Sequence, residues 1–465
     1  MSNKDIAATQ SEFERALGEI RTRVSLSGPA AQKIAVAYSG GLDSAALLHL
    51  MHAYATQHGL ELFAFHVHHG LSANADQWLA HCQQQCADLS VTFDARRVQI
   101  ANQEKGGVEE AARHSRYAAL GDMCRSHDIP LLLTAHHQDD QAETVLLQLL
   151  RGSGVAGLSG MDSANHAPDL LGDASLLMGR PLLQLARADL EKIIINNAIT
   201  FVEDESNLDP RYARNALRHQ VMPTLAQQFP GFQQRFARTA QHAQSAQRLL
   251  IELAAQDLTV CLDGACLDIT QLKNFSADRI DNMLRYWFGI RGIRMPSTSW
   301  LNEMRTQLLE AKHDAQLCVT HADCHIRRHR DRVFITPKLA PESLEQPPLT
   351  FEWKGEAAIH FPEFSGTLFF DSAEQGVAAE WLGSHALTLQ LRSGGERLKP
   401  AWNRPTKSLK YHYQACDVPA WERERLPLVF AGKQLLFAAG IGMDCHQLAE
   451  SIGPHIQFRW QFDLQ

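Results

Sequence analysis

From Lys33 to about Leu150 the chain alternates short apolar runs with longer stretches in which apolar residues recur every three or four positions. Ile34 to Tyr38 reads as a buried strand and Ser44 to Thr56 as a helix, followed by a strand over Leu62 to Val67 and a helix over about Ala73 to Ala87. Val91 to Ile100 and Glu109 to His127 repeat the pair, and Pro130 to Ala135 is a fourth strand feeding a helix from about Asp139. This rhythm predicts an α/β fold, a doubly wound parallel sheet with helices on both faces. Such sheets bind ligands beyond the carboxyl ends of their strands.

After about residue 210 the strand rhythm fades. Phe232 to Ala255, about Ala277 to Phe288 and about Ser299 to Ala311 carry helical spacing, while 317–320 and 332–336 look like hairpin strands. Four prolines between 337 and 348 favour an extended connector. Beyond them Leu349 to Trp353, Ala357 to Phe361, Thr367 to Phe370 and Leu387 to Leu391 are short β-type runs. The expected organisation is a catalytic domain over 1–218, a mainly helical middle domain over 219–337, a linker over 338–350 and a small mixed α/β domain over 351–465. A chain of 465 residues suits about three domains at ~150 residues each.

Composition adds a charge asymmetry. The net charge of -8 discourages a nucleic-acid partner until it is divided along the chain. Residues 1–209 carry 15 Lys and Arg against 26 Asp and Glu, and residues 210–465 carry 29 against 26. Residues 210–250 hold six arginines and no acidic residue, and 391–413 hold six basic residues against one glutamate. Such a split fits either a polyanionic partner or solvated faces balancing an acidic neighbour. Nine cysteines without a C-x-x-C argue for reduced thiols rather than a disulfide framework or zinc ribbon. No signal core and no apolar stretch of membrane length are present, so a cytoplasmic, soluble protein is expected.

The segment richest in chemistry is Ser39-Gly40-Gly41-Leu42-Asp43-Ser44. An apolar strand ends in Ser-Gly-Gly and a helix starts at once, so backbone N–H groups, the helix N-terminus and two hydroxyls can cradle an oxyanion. No lysine follows in the P-loop pattern and no G-x-G-x-x-G is present, which disfavours a kinase or a dehydrogenase. Asp43 instead places a carboxylate beside the phosphate site, which calls for a hard cation such as Mg²⁺.

This loop resembles the S-G-G-x-D-S signature of the ATP-pyrophosphatase family. Further segments narrow the resemblance: His66-Val67-His68-His69-Gly70-Leu71-Ser72, Glu110-Ala111-Ala112-Arg113-His114-Ser115-Arg116-Tyr117, and the stretch Thr134 to Thr144 containing His136-His137-Gln138-Asp139-Asp140. With Arg180-Pro181-Leu182-Leu183, Tyr212-Ala213-Arg214-Asn215 and the C-terminal Arg392-Ser393-Gly394-Gly395-Glu396-Arg397-Leu398, they resemble the tRNA(Ile)-lysidine synthetase family from about Ile34 to the C-terminus. The resemblance implies ATP and Mg²⁺ as cofactors, and as substrates free L-lysine and an isoleucine tRNA with a CAU anticodon. The O2 of its wobble cytidine would be adenylated, and lysine would then attack ring carbon 2.

On that basis Ser39, Gly40, Gly41, Leu42, Asp43 and Ser44 are expected to bind ATP, with Asp43 as the Mg²⁺ anchor, and His66 and His68 to shape the nucleotide pocket. Asp43, Arg113, Arg116, His136 and Asp140 are the candidate catalytic residues, one of the two arginines neutralising the α-phosphate. Asp139 and Asp140 are candidates for the lysine ammonium. The competing account of Asp139 is a helix cap with His137 packed beneath it. Arg211, Arg214 and Arg218 recur at helical spacing and, like Arg327, Arg328, Arg330 and Arg332, suit phosphates; Arg397, Lys399, Lys407 and Lys410 near Trp402, Tyr411 and Tyr413 suit RNA stacking as well. A tRNA-thiolating enzyme and an inactive tRNA- or nucleotide-binding module are the alternatives, and monomer or homodimer stays open.

Overall fold

The computed structural model describes residues 3–24, 32–70, 72, 74–98, 108–203, 213–312, 317–338, 346–448 and 454–463. It contains two compact units, Met1–Glu252 and Leu253–Gln465. No helix among the described residues is long and apolar enough to cross a membrane.

The first unit opens with helix α1 (Asn3–Arg21), which the alternating pattern does not announce. The expected alternation follows: β1 (Lys33–Ala37), α2 (Leu42–His58), β2 (Glu61–His68), α3 (Ala75–Asp88), β3 (Thr92–Arg97), α4 (Val108–Ser126), β4 (Leu131–Leu133) and α5 (Gln138–Leu150). Two further strands, β5 (Ala164–His166) and β6 (Leu177–Gly179), precede helix α6 (Arg187–Asn196). The six strands order as β3-β2-β1-β4-β6-β5, all parallel except the antiparallel edge strand β5. The doubly wound sheet is therefore present.

Successive strand residues point to opposite faces, and the cores divide accordingly. Ile34, Val36, Leu62, Ala64, Leu131 and Leu133 pack on one face with Phe13, Leu17 and Ile20 of α1 and Leu47, Leu48 and Met51 of α2. Ala35, Phe63, Phe65, Val67 and Leu132 pack on the other with Tyr117, Leu120 and Met123 of α4. A strand buried on both sides has no polar alternation, which is why β1 and β2 read as continuous apolar runs.

In the second unit, the end of α7 (Phe232–Cys261), α8 (Ala277–Ile290) and α9 (Thr298–Glu310) enclose a core around Trp287, Phe288, Met304 and Leu308. A five-stranded antiparallel sheet completes this region, larger than the hairpin pattern predicts. Its strand Cys324–His329 alternates buried and half-buried positions, but the third buried position is Arg328, so the alternation does not stand out in the sequence. The C-terminal part builds antiparallel sheets of five and four strands over Leu387, Leu389, Leu428, Val429, Phe370 and Phe458.

Gly121 lies inside α4, where alanine normally stabilises a helix by about 1 kcal/mol over glycine. A Cβ there would lie only 1.9 Å from the Leu171 carbonyl oxygen, whereas Gly18 of α1 has open space. Gly121→Ala should lower the melting temperature, with a cost of about 1–3 kcal/mol, and Gly18→Ala should raise it. Thermal melts of the two variants check the opposed signs.

Candidate active site

Three helix N-termini meet the carboxyl edge of the sheet through polar contacts, those of α2, α5 and α6, and each contributes a carboxylate or its partner. The phosphate loop links β1 to α2. Gly40 has φ +87, and a side chain there would meet Cys82 Sγ at 2.8 Å and Val202 Cγ2 at 3.0 Å, so only glycine lets the loop lie so close to α3. Ser44 Oγ donates to the Gly41 carbonyl (2.9 Å) and sits 3.1 Å from Ser39 Oγ. Gly41 is the N-cap of α2 and offers no side chain to its first turn, which leaves that helix end suited to an oxyanion.

Helix α5 begins with a reciprocal cap. The His137 N–H donates to Asp140 Oδ2 (3.1 Å), and the Asp140 N–H donates to His137 Nδ1 (3.4 Å). His137 Nε2 lies 3.6 Å from Asp43 Oδ1 and links α5 to the phosphate loop. Burial alone would lower the His137 pKa, but the surrounding carboxylates of Asp43, Asp140 and Asp139 raise it. Asp139 caps a different helix from the one expected: its Oδ2 accepts the Arg187 N–H at the start of α6 (2.9 Å), and its Oδ1 accepts from Gln233 Nε2 (3.2 Å).

Beneath these groups Glu143 is 1% exposed. Arg214 Nε donates to its Oε2 (2.8 Å), and Arg218 donates to Oε1 through Nε (2.6 Å) and to Oε2 through Nη2 (3.0 Å). The same two guanidiniums reach Asp140 Oδ1 at 3.3 and 2.9 Å. Burial would raise the Asp140 pKa, yet His137, Arg214, His136 and Arg218 bring it down to about 2. Arg214 and Arg218 are thus engaged with carboxylates of the catalytic unit instead of forming an open row. Arg211 lies outside the described residues.

The remaining candidates divide. His136 is pushed down to about 3, first by burial and then by Arg180, Arg214 and Arg113, so its imidazole is neutral near pH 7; its Nδ1 is 2.9 Å from Thr134 Oγ1. Arg113 and Arg116 both lie against the ring of Tyr117, at 4.8 and 5.4 Å, and the charge of Arg113 acts on His136 and Arg180. His66 Nδ1 meets the Tyr38 carbonyl (3.0 Å) and so braces the strand end that leads into the loop. His68 Nε2 approaches Asp76 (3.2 Å), which Arg97 also holds.

In the second unit Arg397 lies opposite Ser408 and Lys407 opposite Leu398 on a two-stranded ribbon, Lys399 Nζ lies 5.3 Å from the Trp402 ring and Lys407 Nζ 5.5 Å from Tyr411. Lys410, Trp402 and Tyr411 are exposed. The row at 327–332 is committed elsewhere: buried Arg328 donates to the carbonyls of Leu308, Ala311 and Arg330, Arg330 pairs with Asp417 and Arg332 with Asp263.

Sequence reading missed Glu143, Arg187 and Gln233 as members of the cluster. The one available signal was Glu143 three residues after Asp140 on a helix with no basic residue to offset either, which demands partners from elsewhere in the chain.

Residues 9–225 match the family model of the PP-loop domain, 267–334 that of the TilS substrate binding domain, and 387–460 that of the TilS substrate C-terminal domain. Curated relatives named tRNA(Ile)-lysidine synthase include those of Burkholderia pseudomallei (40% identity over 93% of this chain and 94% of the relative), Ralstonia nicotianae (40%, 91% and 92%) and Coxiella burnetii (36%, 87% and 88%). The chain belongs to the tRNA(Ile)-lysidine synthase family. As a lysidine synthase it is a tRNA-modifying ligase built on a nucleotide-binding PP-loop domain.

Removing one guanidinium from a buried carboxylate leaves that charge under-compensated. Arg218→Met should destabilise the synthase by about 2–3 kcal/mol, and adding Glu143→Gln should restore part of the loss; thermal melts of the single and double variants check this. Because the folded Asp140 pKa lies below its ordinary value of 3.8, its contribution to stability is complete above about pH 4 and disappears as pH falls toward about 2. A carboxyl NMR titration should show no Asp140 transition between pH 7 and 4.

Proposed function

We propose that the protein uses ATP to ligate free L-lysine to carbon 2 of the wobble cytidine of an isoleucine tRNA with a CAU anticodon. The cytidine O2 is first adenylated with release of pyrophosphate, and the lysine amine then displaces AMP. The observation that carries this reading is the meeting of an uncapped helix N-terminus with Asp43 Oδ1, a buried carboxylate oxygen without a hydrogen-bond donor among the described residues. That oxygen fits a hard cation, so Asp43 would hold Mg²⁺ beside the phosphates. Mg²⁺ supplies charge neutralisation to the polyphosphate when bound.

The chain's own groups divide the remaining work. Ser39, Ser44 and the first turn of α2 orient the phosphates, while Arg113 is suited to the α-phosphate. Asp139 and Asp140 supply negative charge for the lysine ammonium. With its pKa near 2, Asp140 acts as a counter-charge and not as the base, and His136 at about 3 is too weak a base as well. Binding of tRNA falls to the regions 219–337 and 351–465, with Arg397, Lys399, Lys407 and Lys410 beside exposed Trp402 and Tyr411.

A thiolation reading has less support. Burial pushes the thiols of Cys82 and Cys86 up to about 12, so they stay protonated, and Cys82 packs against Gly40.

The decisive experiment is mass analysis of the tRNA after incubation with ATP and Mg²⁺, with lysine supplied or omitted. A lysine-sized gain on one cytidine is expected only with lysine; a sulfur-sized gain or no gain would refute the ligase reading. Asp43→Asn should abolish pyrophosphate release, and turnover near wild type would show that Asp43 anchors no cation. The double change Lys407→Gln, Lys410→Gln should weaken tRNA affinity and flatten its dependence on salt by about two phosphate contacts, measured by binding at several KCl concentrations.

A further inference from the structure

Arg187 opens helix α6, and its backbone N–H is fixed by Asp139 Oδ2 at 2.9 Å. Its side chain turns toward the phosphate loop, with Nε 3.6 Å from Asp43 Oδ1 and 3.8 Å from Glu191 Oε1. Both Nε and Asp43 Oδ1 are buried and, among the described residues, lack a hydrogen-bond partner, as does His137 Nε2, 3.6 Å from the same oxygen. Yet 42% of the Arg187 side chain is exposed. Charge-assisted N–H···O contacts normally close to 2.7–2.9 Å, as Arg214 does on Glu143 at 2.8 Å. The guanidinium of Arg187 is therefore anchored but not saturated, and it stands where the loop and the α2 N-terminus gather anionic oxygen.

We propose that Arg187 binds the β- and γ-phosphates of ATP and stabilises pyrophosphate as it leaves. This rests on the ATP-dependent reading above. In the step concerned, the cytidine O2 forms a bond to the α-phosphorus while the bond from that phosphorus to the oxygen bridging to the β-phosphorus breaks. The electron pair of the broken bond stays on that oxygen, which departs as part of pyrophosphate. Arg187 donates N–H hydrogen bonds to the departing group and keeps its protons, so the charge that develops there meets a fixed cation. Asp43 and Asp139 serve as the posts that aim it.

The test is calorimetric binding of pyrophosphate, and separately of AMP, to the full-length wild type, Arg187→Lys and Arg187→Met, together with melting temperatures and the rate of pyrophosphate release in the presence of ATP and tRNA. Arg187→Met should lose ~10-fold or more in pyrophosphate affinity and ~10²–10³-fold in release rate, with AMP affinity and melting temperature unchanged; Arg187→Lys should retain part of both. Unchanged pyrophosphate affinity would overturn the proposal. So would a parallel loss of AMP and pyrophosphate affinity with a lower melting temperature, which is what an arginine that only neutralises Asp43 would give. Pyrophosphate binding is measured without tRNA or lysine, so a wild type that binds pyrophosphate through Arg187 but adds no lysine to tRNA would support the arginine's role and refute the ligation reading.

Discussion

Four carboxylates, those of Asp43, Asp139, Asp140 and Glu143, crowd the edge of the sheet beside the proposed phosphate site, and the first unit is organised around making that tolerable. Two unit charges 4 Å apart interact by about 4 kcal/mol even at an effective dielectric of 20, so neighbouring carboxylates must be interleaved with cations. The structure places Arg214 and Arg218 between Asp140 and Glu143, the His137 imidazole between Asp140 and Asp43, and the Arg187 side chain beside Asp43, while Asp139 is met by the Arg187 backbone N–H. Replacing Arg214 or Arg218 by an apolar group leaves a buried charge exposed to its like neighbours, which is costlier than the net worth of the pair. The interleaving also fixes geometry, because these groups come from three separate stretches of chain, at 137, 187 and 214–218.

Those elements converge because of the sheet. Strands β1 and β4 are neighbours while their chain connections run to opposite sides, so a crevice opens between their carboxyl ends. The helices that follow, α2 and α5, start in that crevice, and α6 is tied to it by the Gln138 N–H to the Leu185 carbonyl (2.9 Å). Each helix start carries partial positive charge that favours the nearby carboxylates and any phosphate. His137 and Asp140 cap the start of α5 reciprocally and Asp139 accepts the first N–H of α6, whereas the start of α2 has no side-chain cap among the described residues. The asymmetry leaves the start of α2 as the one of the three suited to an anionic ligand.

What was legible in the sequence is local. Strand, turn and helix at 34–58 are contiguous, so the phosphate loop and Asp43 could be read directly, and the burial of β1 and β2 on both faces made their apolar runs conspicuous. The histidine and aspartate pair at 136–140 was likewise visible, but the division of labour within it was not. Asp139 caps a helix that begins 48 residues later, and Glu143 meets arginines 71 and 75 residues away. Residue spacing holds no trace of such pairs, since they exist only once the sheet has brought its edge together. Helix α1 was missed because its apolar positions Phe13, Leu17 and Ile20, although at helical spacing, are few among charged residues and lie ahead of the strand–helix alternation.

Charge counting failed in the same way, and its failure sharpens where RNA contact is to be sought. The absence of acidic residues from 210–250 made its arginines look uncommitted, but Arg214 and Arg218 take their counter-charges from α5. The cluster at 327–332 repeats the lesson with Arg328 inside the core and Arg330 and Arg332 paired. A cation contributes to a salt-dependent RNA contact only if its own counter-ion is mobile, because the gain comes from releasing that ion. An arginine already neutralised by a fixed carboxylate has little to release. By that criterion the ribbon bearing Arg397 and Lys407, with Lys399 and Lys407 set against the half-exposed rings of Trp402 and Tyr411, outweighs the more arginine-rich segments, although it holds fewer charges.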